Sequence, residues 1–394
     1  MVASARRQRA RASLLAGVAI LAGAAGGLFG LCGPFTDVAA DVFCPFVLEI
    51  FYLGITTGTT ATTYDPTGNV TRLQMAAFLS RTVDGVLKRG SRRAALDQFW
   101  TTQNASVLGV TTVGNSPGLL SSDGADIWVP DTTDGTVSRV RASDGKLLET
   151  WTGAPNAWGV LSAMGRIFVD SSSSGAGALY RIDPSQPAGA VTTLATNLGN
   201  GAAGIAFDGA RIWIGNSIGG TGVSIVTPGA TPPWTVTTVT TGFGEPLGTI
   251  YDGSNIWVTD RSQNRLFKLD PSGAILQTVT VGLNPGYPVF DGTNIWVPNF
   301  QENSVSVVRA STGNVLATLT GNGLTGPPLA TFDGQRVLVT SVVGNRVSLW
   351  KAADLTPISF VSTGLDTSPW GACSDGIHFW IALDSGPPGQ LVRF

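Results

Sequence analysis

Four segments of this chain follow one pattern: Asp123-Gly124-Ala125-Asp126-Ile127-Trp128-Val129, Asp208-Gly209-Ala210-Arg211-Ile212-Trp213-Ile214, Asp252-Gly253-Ser254-Asn255-Ile256-Trp257-Val258 and Asp291-Gly292-Thr293-Asn294-Ile295-Trp296-Val297. Weaker copies start at Ala163, Asp333 and Asp375, so seven starts run from 123 to 375 at a mean spacing of 42 residues. A chain that repeats itself at this period builds one small unit many times and buries each copy against the next. Each unit reads as four short strands. An apolar strand such as Pro288-Val289-Phe290 leads into an Asp-Gly hairpin and the Ile-Trp-Val strand. An alternating strand from Ser304 to Val308, a Thr312-Gly313 turn and a strand from Val315 to Leu319 follow. Four strands per repeat is the arithmetic of a propeller blade, and seven copies predict a seven-bladed β-propeller over 105–394. Composition agrees with a mainly β chain, because 22 Asp stand against 4 Glu and 20 Arg against 4 Lys, leaving few helix formers and many turn formers.

The ends of the repeat region test this reading. The last unit stops at Leu391-Val392-Arg393-Phe394, its third strand, while Ser106 to Val113 matches a fourth strand. The early strand is therefore expected to complete the last blade, placing Val107 beside Val392 and removing two open sheet edges.

Aligning the units separates scaffold from candidate site. Trp128, Phe168, Trp213, Trp257, Trp296, Leu338 and Trp380 share one position and are expected in the core. Each buried Trp contributes roughly 4 to 6 kcal/mol before entropy losses. His378, the single histidine, falls on a generic polar position after the hairpin, which argues against a catalytic role and excludes machinery that needs two imidazoles. Cys373 aligns with the innermost strand and reads as a buried free thiol. Asp131, Ser171, Asn216, Asp260, Asn299 and Ser341 lie three residues after the aromatic position and suit turn capping. No cofactor is expected; the alternative is that this ring of oxygens holds a hard cation such as Ca2+. Residues that break the repeat are the better functional candidates. Trp158, Glu245, Asn284, Tyr287, Asp366 and Trp370 lie on loops entering the innermost strands, and an acidic, aromatic-bearing mouth there suits a glycan or protein ligand.

Residues 1–31 carry Arg6, Arg7, Arg9 and Arg11 and then an apolar, Gly/Ala-rich run to about Leu31, the layout of a signal peptide. A retained membrane anchor is the alternative. Without that segment the net charge changes from −2 to −6, all of it on residues 105–394, which disfavours nucleic acid as a partner. Export to an oxidising compartment suits a disulfide between Cys32 and Cys44.

A small helical module is expected over 32–82, followed by a linker helix over 83–104. Pro45 opens a first helix with Phe46, Ile50 and Leu53 on one face, and Gly54 closes it. A second begins at Thr71, where Thr71 and Gln74 fit a capping box ahead of Met75, Phe78, Leu79 and Val83. Phe35-Thr36-Asp37-Val38, Leu53-Gly54-Ile55, Gly58, Tyr64, Pro66 and Val70-Thr71-Arg72-Leu73-Gln74-Met75-Ala76 together resemble an S-layer homology (SLH) module. The resemblance implies binding of acidic cell-wall polysaccharide, with Arg72 as the carboxylate contact and Asp37 as part of the site, and a location at the cell surface or envelope. Gln74 departs from the family, which more often has an acid there. The module occurs once, so its apolar stripe must pack on sister chains or on the main domain. Self-association through it is one expectation.

The repeats themselves resemble YVTN and NHL-like β-propellers, a resemblance that speaks for fold more than activity. Two functions are expected from these readings. The first is a non-enzymatic envelope protein, attached to the wall by the SLH-like module and presenting a propeller binding face. The alternative is a wall-tethered propeller enzyme of the lyase or lactonase type, for which no catalytic constellation is visible.

Overall fold

The computed structural model describes residues 34–38, 43–52, 56, 58–79, 109–220 and 222–394. The expected signal peptide, Cys32, Leu53, Gly54, Val83 and the linker helix over 83–104 lie outside the described residues. The chain divides into two compact units, Met1–Trp100 and Thr101–Phe394. Among the described residues no helix is long and apolar enough to cross a membrane.

The larger unit is a seven-bladed β-propeller of seven four-stranded antiparallel sheets. Blade 5 shows the plan, with strands Val289–Phe290, Asn294–Asn299, Ser304–Arg309 and Val315–Thr320 pairing in that order. Its second strand is buried at every residue, whereas its outermost strand is mostly exposed. The reason is that the cores lie between blades, so inner strands are covered on both faces. Trp296, Val305 and Val307 of blade 5 pack with Val337, Val339 and Trp350 of blade 6. Ile127 and Val129 of blade 1 pack with Trp380 and Leu391 of blade 7, which closes the ring.

Blade 7 joins Pro369–Ser374, Phe379–Leu383 and Gln390–Arg393 to Val110–Thr112, so the early strand does complete the last blade. Its register differs from the expectation. Val110, not Val107, faces Val392, and Thr112 faces Gln390. Gly109, at φ 108°, precedes this strand, and its carbonyl accepts the Arg393 amide at 3.5 Å. Val107 lies outside the described residues.

All seven residues at the aromatic position are buried to 1% exposure or less. The hairpin explains why Asp and Trp recur together. In blade 5, Asp291 Oδ1 accepts the amides of Thr293 and Asn294 at 2.8 and 2.7 Å, while Oδ2 accepts Trp296 Nε1 at 2.7 Å. Gly292 supplies the φ of 93° that the turn needs. The same carboxylate-to-indole clasp joins Asp123 to Trp128, Asp208 to Trp213, Asp252 to Trp257 and Asp375 to Trp380. One carboxylate thus caps the turn and satisfies a buried indole N–H. Basic side chains cover several of these rings, with Arg139 5.1 Å from the Trp128 centroid and Lys268 5.1 Å from that of Trp257. Blades 2 and 6 have Phe168 and Leu338 instead, and in blade 6 Asp333 accepts Arg336 Nε at 2.8 Å.

The smaller unit holds helix α1 (Cys44–Tyr52) and helix α2 over 72–79. Its core is Phe35, Val38 and Val47, with Cys44, Leu48, Phe51 and Tyr64 packed around them. The buried face of α1 is therefore Cys44, Val47, Leu48 and Phe51, a helical i, i+3, i+4, i+7 set. It is not the expected Phe46 face, since Phe46 is 63% exposed. Phe35 selects this face, its ring standing edge-on to Phe51 at 5.0 Å and beside Tyr64 at 5.5 Å. The Thr71 capping box forms as expected, with the Thr71 amide donating to Gln74 Oε1 at 2.8 Å and the Gln74 amide to Thr71 Oγ1 at 3.2 Å.

Candidate functional site

In the propeller, the loops entering the innermost strands and the turns after the second strands share one face. There Trp158, Asn284, Tyr287 and Trp370 line a single cavity of about 370 Å3. Trp158, Ala203, Leu247, Gly286, Pro328 and Trp370 are one residue each from blades 2 to 7, at equivalent places leading into the innermost strand. These strands approach so closely that a Cβ added at Gly371 would strike the Gly118 carbonyl, and one at Gly286 the Pro328 carbonyl.

Tyr287 is buried in the lining of this cavity. Its hydroxyl accepts Trp158 Nε1 at 2.9 Å, from the opposite side of the wheel. Gly159, Gly204, Gly248 and Gly371 hold the equivalent place in blades 2, 3, 4 and 7, where an added Cβ would strike Asp170, the Leu247 carbonyl, Pro288 and the Gly118 carbonyl respectively. Trp370 stands nearly perpendicular to Trp158, with centroids 6.0 Å apart and planes at 70°. Burial raises the Tyr287 hydroxyl pKa, against the hydrogen bond from Trp158.

The expected acidity of the mouth is not found in the cavity. Arg261 is the charged side chain in its lining, and no carboxylate is part of it. Glu245 instead accepts Arg261 Nε at 2.8 Å, and Glu302 accepts the Leu283 amide at 3.0 Å. Asp366 is exposed at φ 53° and stands apart from the lining, next to Leu365. Arg261, Phe300, Ser217 and Ser172 also line the cavity, outside the set expected from the sequence. Each directly follows a turn-capping position, Asp260, Asn299, Asn216 or Ser171. That offset was readable from the repeat.

The capping positions are themselves occupied as turn caps. Asn299 Nδ2 donates to Ser304 and Ser306 Oγ at 2.9 and 3.0 Å, and Asp260 accepts the Gly244 and Glu245 amides. Asp131 Oδ2 accepts Thr136 and Ser138 hydroxyls at 3.0 and 2.8 Å, yet burial raises this carboxyl to about 7. Asp170, behind Trp158, is pushed by burial to about 7 as well, with Oδ1 accepting the Gly159 amide at 2.7 Å. Among the described residues no group of three His, Cys, Asp or Glu is placed to hold a metal ion.

Two other residues meet their sequence expectations. His378 lies on the hairpin face, its Nδ1 3.4 Å from Asp375 Oδ2. Burial raises the Asp375 pKa, but hydrogen bonds from His378, Trp380 and nearby backbone amides outweigh it and bring the carboxyl down to about 2. Cys373 is a buried free thiol.

In the smaller unit, Arg72 is exposed on the first turn of α2, directly behind the capping box. Asp37 is engaged by the fold, accepting the Tyr64 amide at 2.8 Å and the Asp65 amide at 2.7 Å, and these bonds hold its pKa below the usual carboxylate value. Asp37 thus shapes the loop that leads towards Arg72. Cys44 opens α1, and its expected partner Cys32 lies outside the described residues.

Comparison with known proteins agrees with this division. Residues 34–76 match the family model of the S-layer homology domain. No curated protein matches the chain. Among solved structures, a catalytically inactive virginiamycin B lyase from Staphylococcus aureus, crystallised with quinupristin, is similar at 15% identity and a TM-score of 0.59. That match covers 72% of this chain and 98% of the lyase. Hydrazine synthase of Kuenenia stuttgartiensis is similar at 16% identity and a TM-score of 0.59, over 72% of this chain and 97% of that one. At such identity the likeness is one of fold. The chain thus carries an S-layer homology domain at residues 34–76 and a seven-bladed β-propeller in its larger unit.

Proposed function

We propose that this is an exported protein of the cell envelope whose S-layer homology domain binds acidic wall polysaccharide and whose propeller presents its mouth to a glycan or protein ligand. The domain itself implies association with the cell surface or envelope. The observation that carries the finer reading is Arg72, an exposed guanidinium on a helical turn fixed by the Thr71 and Gln74 bonds. A guanidinium held in that way offers paired donors to a carboxylate. A Cys32–Cys44 disulfide, a cleaved segment 1–31 and a linker helix over 83–104 belong to the same proposal. So does self-association through the apolar surface of α2, where Leu73 is 85% exposed.

The test is co-sedimentation of the full chain with purified wall polysaccharide. Arg72→Ala is expected to lower binding at least about tenfold, the scale of a lost charge-assisted contact, while Trp370→Ala leaves it unchanged. Retained sedimentation of Arg72→Ala would refute the assignment. The enzyme alternative predicts turnover of a lactone or glycan that Glu245→Ala abolishes. It has less support, because Glu245 is bonded to Arg261 and His378 lies on the opposite face.

A further inference from the structure

The mouth cavity is rich in donors that lack acceptors. Arg261 Nε donates to Glu245 at 2.8 Å and Nη2 to the Ser217 carbonyl at 3.2 Å, but Nη1 has no partner among the described residues. Tyr287 accepts from Trp158 and, among the described residues, has no acceptor for its own proton. The Asn284 side chain makes no hydrogen bond among the described residues, although its backbone amide is held by Asn264 Oδ1 at 2.8 Å. The walls around these donors are flat and apolar, formed by Trp158, Trp370, Phe300 and Pro328. At about 370 Å3 the space falls in the range of small-ligand sites.

We propose that this cavity binds a carboxylate carried on a flat apolar body. The carboxylate meets Arg261 through Nη1, the edge of the guanidinium turned away from Glu245, and the body lodges in the corner between the Trp158 and Trp370 indoles. A cationic ligand finds donors and no carboxylate in the lining, and a neutral one leaves the guanidinium edge unanswered. The proposal deepens the reading of the mouth as a binding face and is independent of wall attachment through Arg72. The same chemistry is offered by a free aromatic acid or by the C-terminal residue of a peptide. Exposed Ile218, Leu283 and Val343 on neighbouring loops of this face give a longer chain further apolar contact.

The experiment is calorimetric titration of the full chain with N-acetyl-phenylalanine, its amide, phenethylamine and a tripeptide ending in phenylalanine. The acid is expected to bind about tenfold more tightly than the amide, and the amine not to bind. A tighter tripeptide marks a peptide terminus as the source, and an equal or weaker one a free acid. Arg261→Gln should reduce the acid to the level of the amide, and Trp370→Ala should weaken both. Glu245→Gln, which frees the guanidinium, should tighten the acid. Melting curves of each variant establish that it is folded, and Arg261→Lys, keeping charge without the fork, should retain part of the preference.

Equal binding of acid and amide overturns the carboxylate assignment while Trp370→Ala can still report the mouth as the binding face. Absence of binding by every probe at 10 mM, roughly the limit of a specific contact, overturns the proposal. If Trp370→Ala changes no binding at all, the reading of the mouth falls with it.

Discussion

The hairpin face and the mouth of the wheel are made from the same seven repeats, yet they treat repetition in opposite ways. On the hairpin face five blades set the same clasp, an aspartate that caps the turn and accepts an indole N–H within 2.7 to 2.9 Å. At the mouth, equivalent places hold glycine in four blades and Tyr287 in one, or indoles in two blades and small or aliphatic residues in others. Repetition marks what every blade needs for folding. Its interruption marks where one blade does something its neighbours do not.

That contrast is broken most forcefully in the core. Trp296→Ala should cost about 3 to 5 kcal/mol in chemical denaturation, since a fully buried indole leaves a cavity between blades 5 and 6. Asp291→Ala should cost about 1 to 3 kcal/mol, because it strands the Trp296 N–H and two turn amides. Leucine or phenylalanine already replaces the indole in blades 6 and 2, so the clasp strengthens the fold without being required in every sector.

A third substitution sharpens the comparison through pH. The Asp131 carboxyl has an ordinary value of 3.8 and is raised to about 7 by burial, so the folded chain holds an extra proton between those limits. Its contribution to stability therefore declines as pH rises from about 4 to 7 and stays low above that. Asp131→Asn gives blade 1 the residue that blades 3 and 5 use, as Asn216 and Asn299. It should raise stability at pH 8 by on the order of 1 kcal/mol, change little at pH 4.5 and flatten the slope between. A steeper slope in the variant would contradict this account. Smallest of all, Leu365→Ser at the mouth should move stability by no more than about 0.5 kcal/mol, because this side chain is 93% exposed.

The blade count, the strand plan, the aromatic core and the strand that closes the ring were legible because hydrophobic alternation and turn chemistry recur at a fixed period. Less was legible at the mouth. Trp158, Asn284, Tyr287 and Trp370 were found as departures from the repeat, but the partnership of Tyr287 with Trp158 spans 129 residues and half the wheel. Nor does local sequence show that Glu245 faces Arg261, since the two meet across a loop and a turn. In the smaller unit the helix was readable, whereas its buried face was not. Choosing Val47 over Phe46 depends on Phe35, which arrives from outside the helix.

The strand Val110–Thr112 lies at the rim of blade 7, held to Gln390–Arg393 by three residue pairs. It is the first described strand of the larger unit. A pull on the N-terminal side of this strand therefore loads an edge pairing, not an interior one. Three pairs at an edge peel more readily than an interior strand tears. Such a pull would peel this strand from blade 7 and bare the outer edge of Gln390–Arg393, while the packing of blade 1 on blade 7 through Ile127, Val129, Trp380 and Leu391 stays in place.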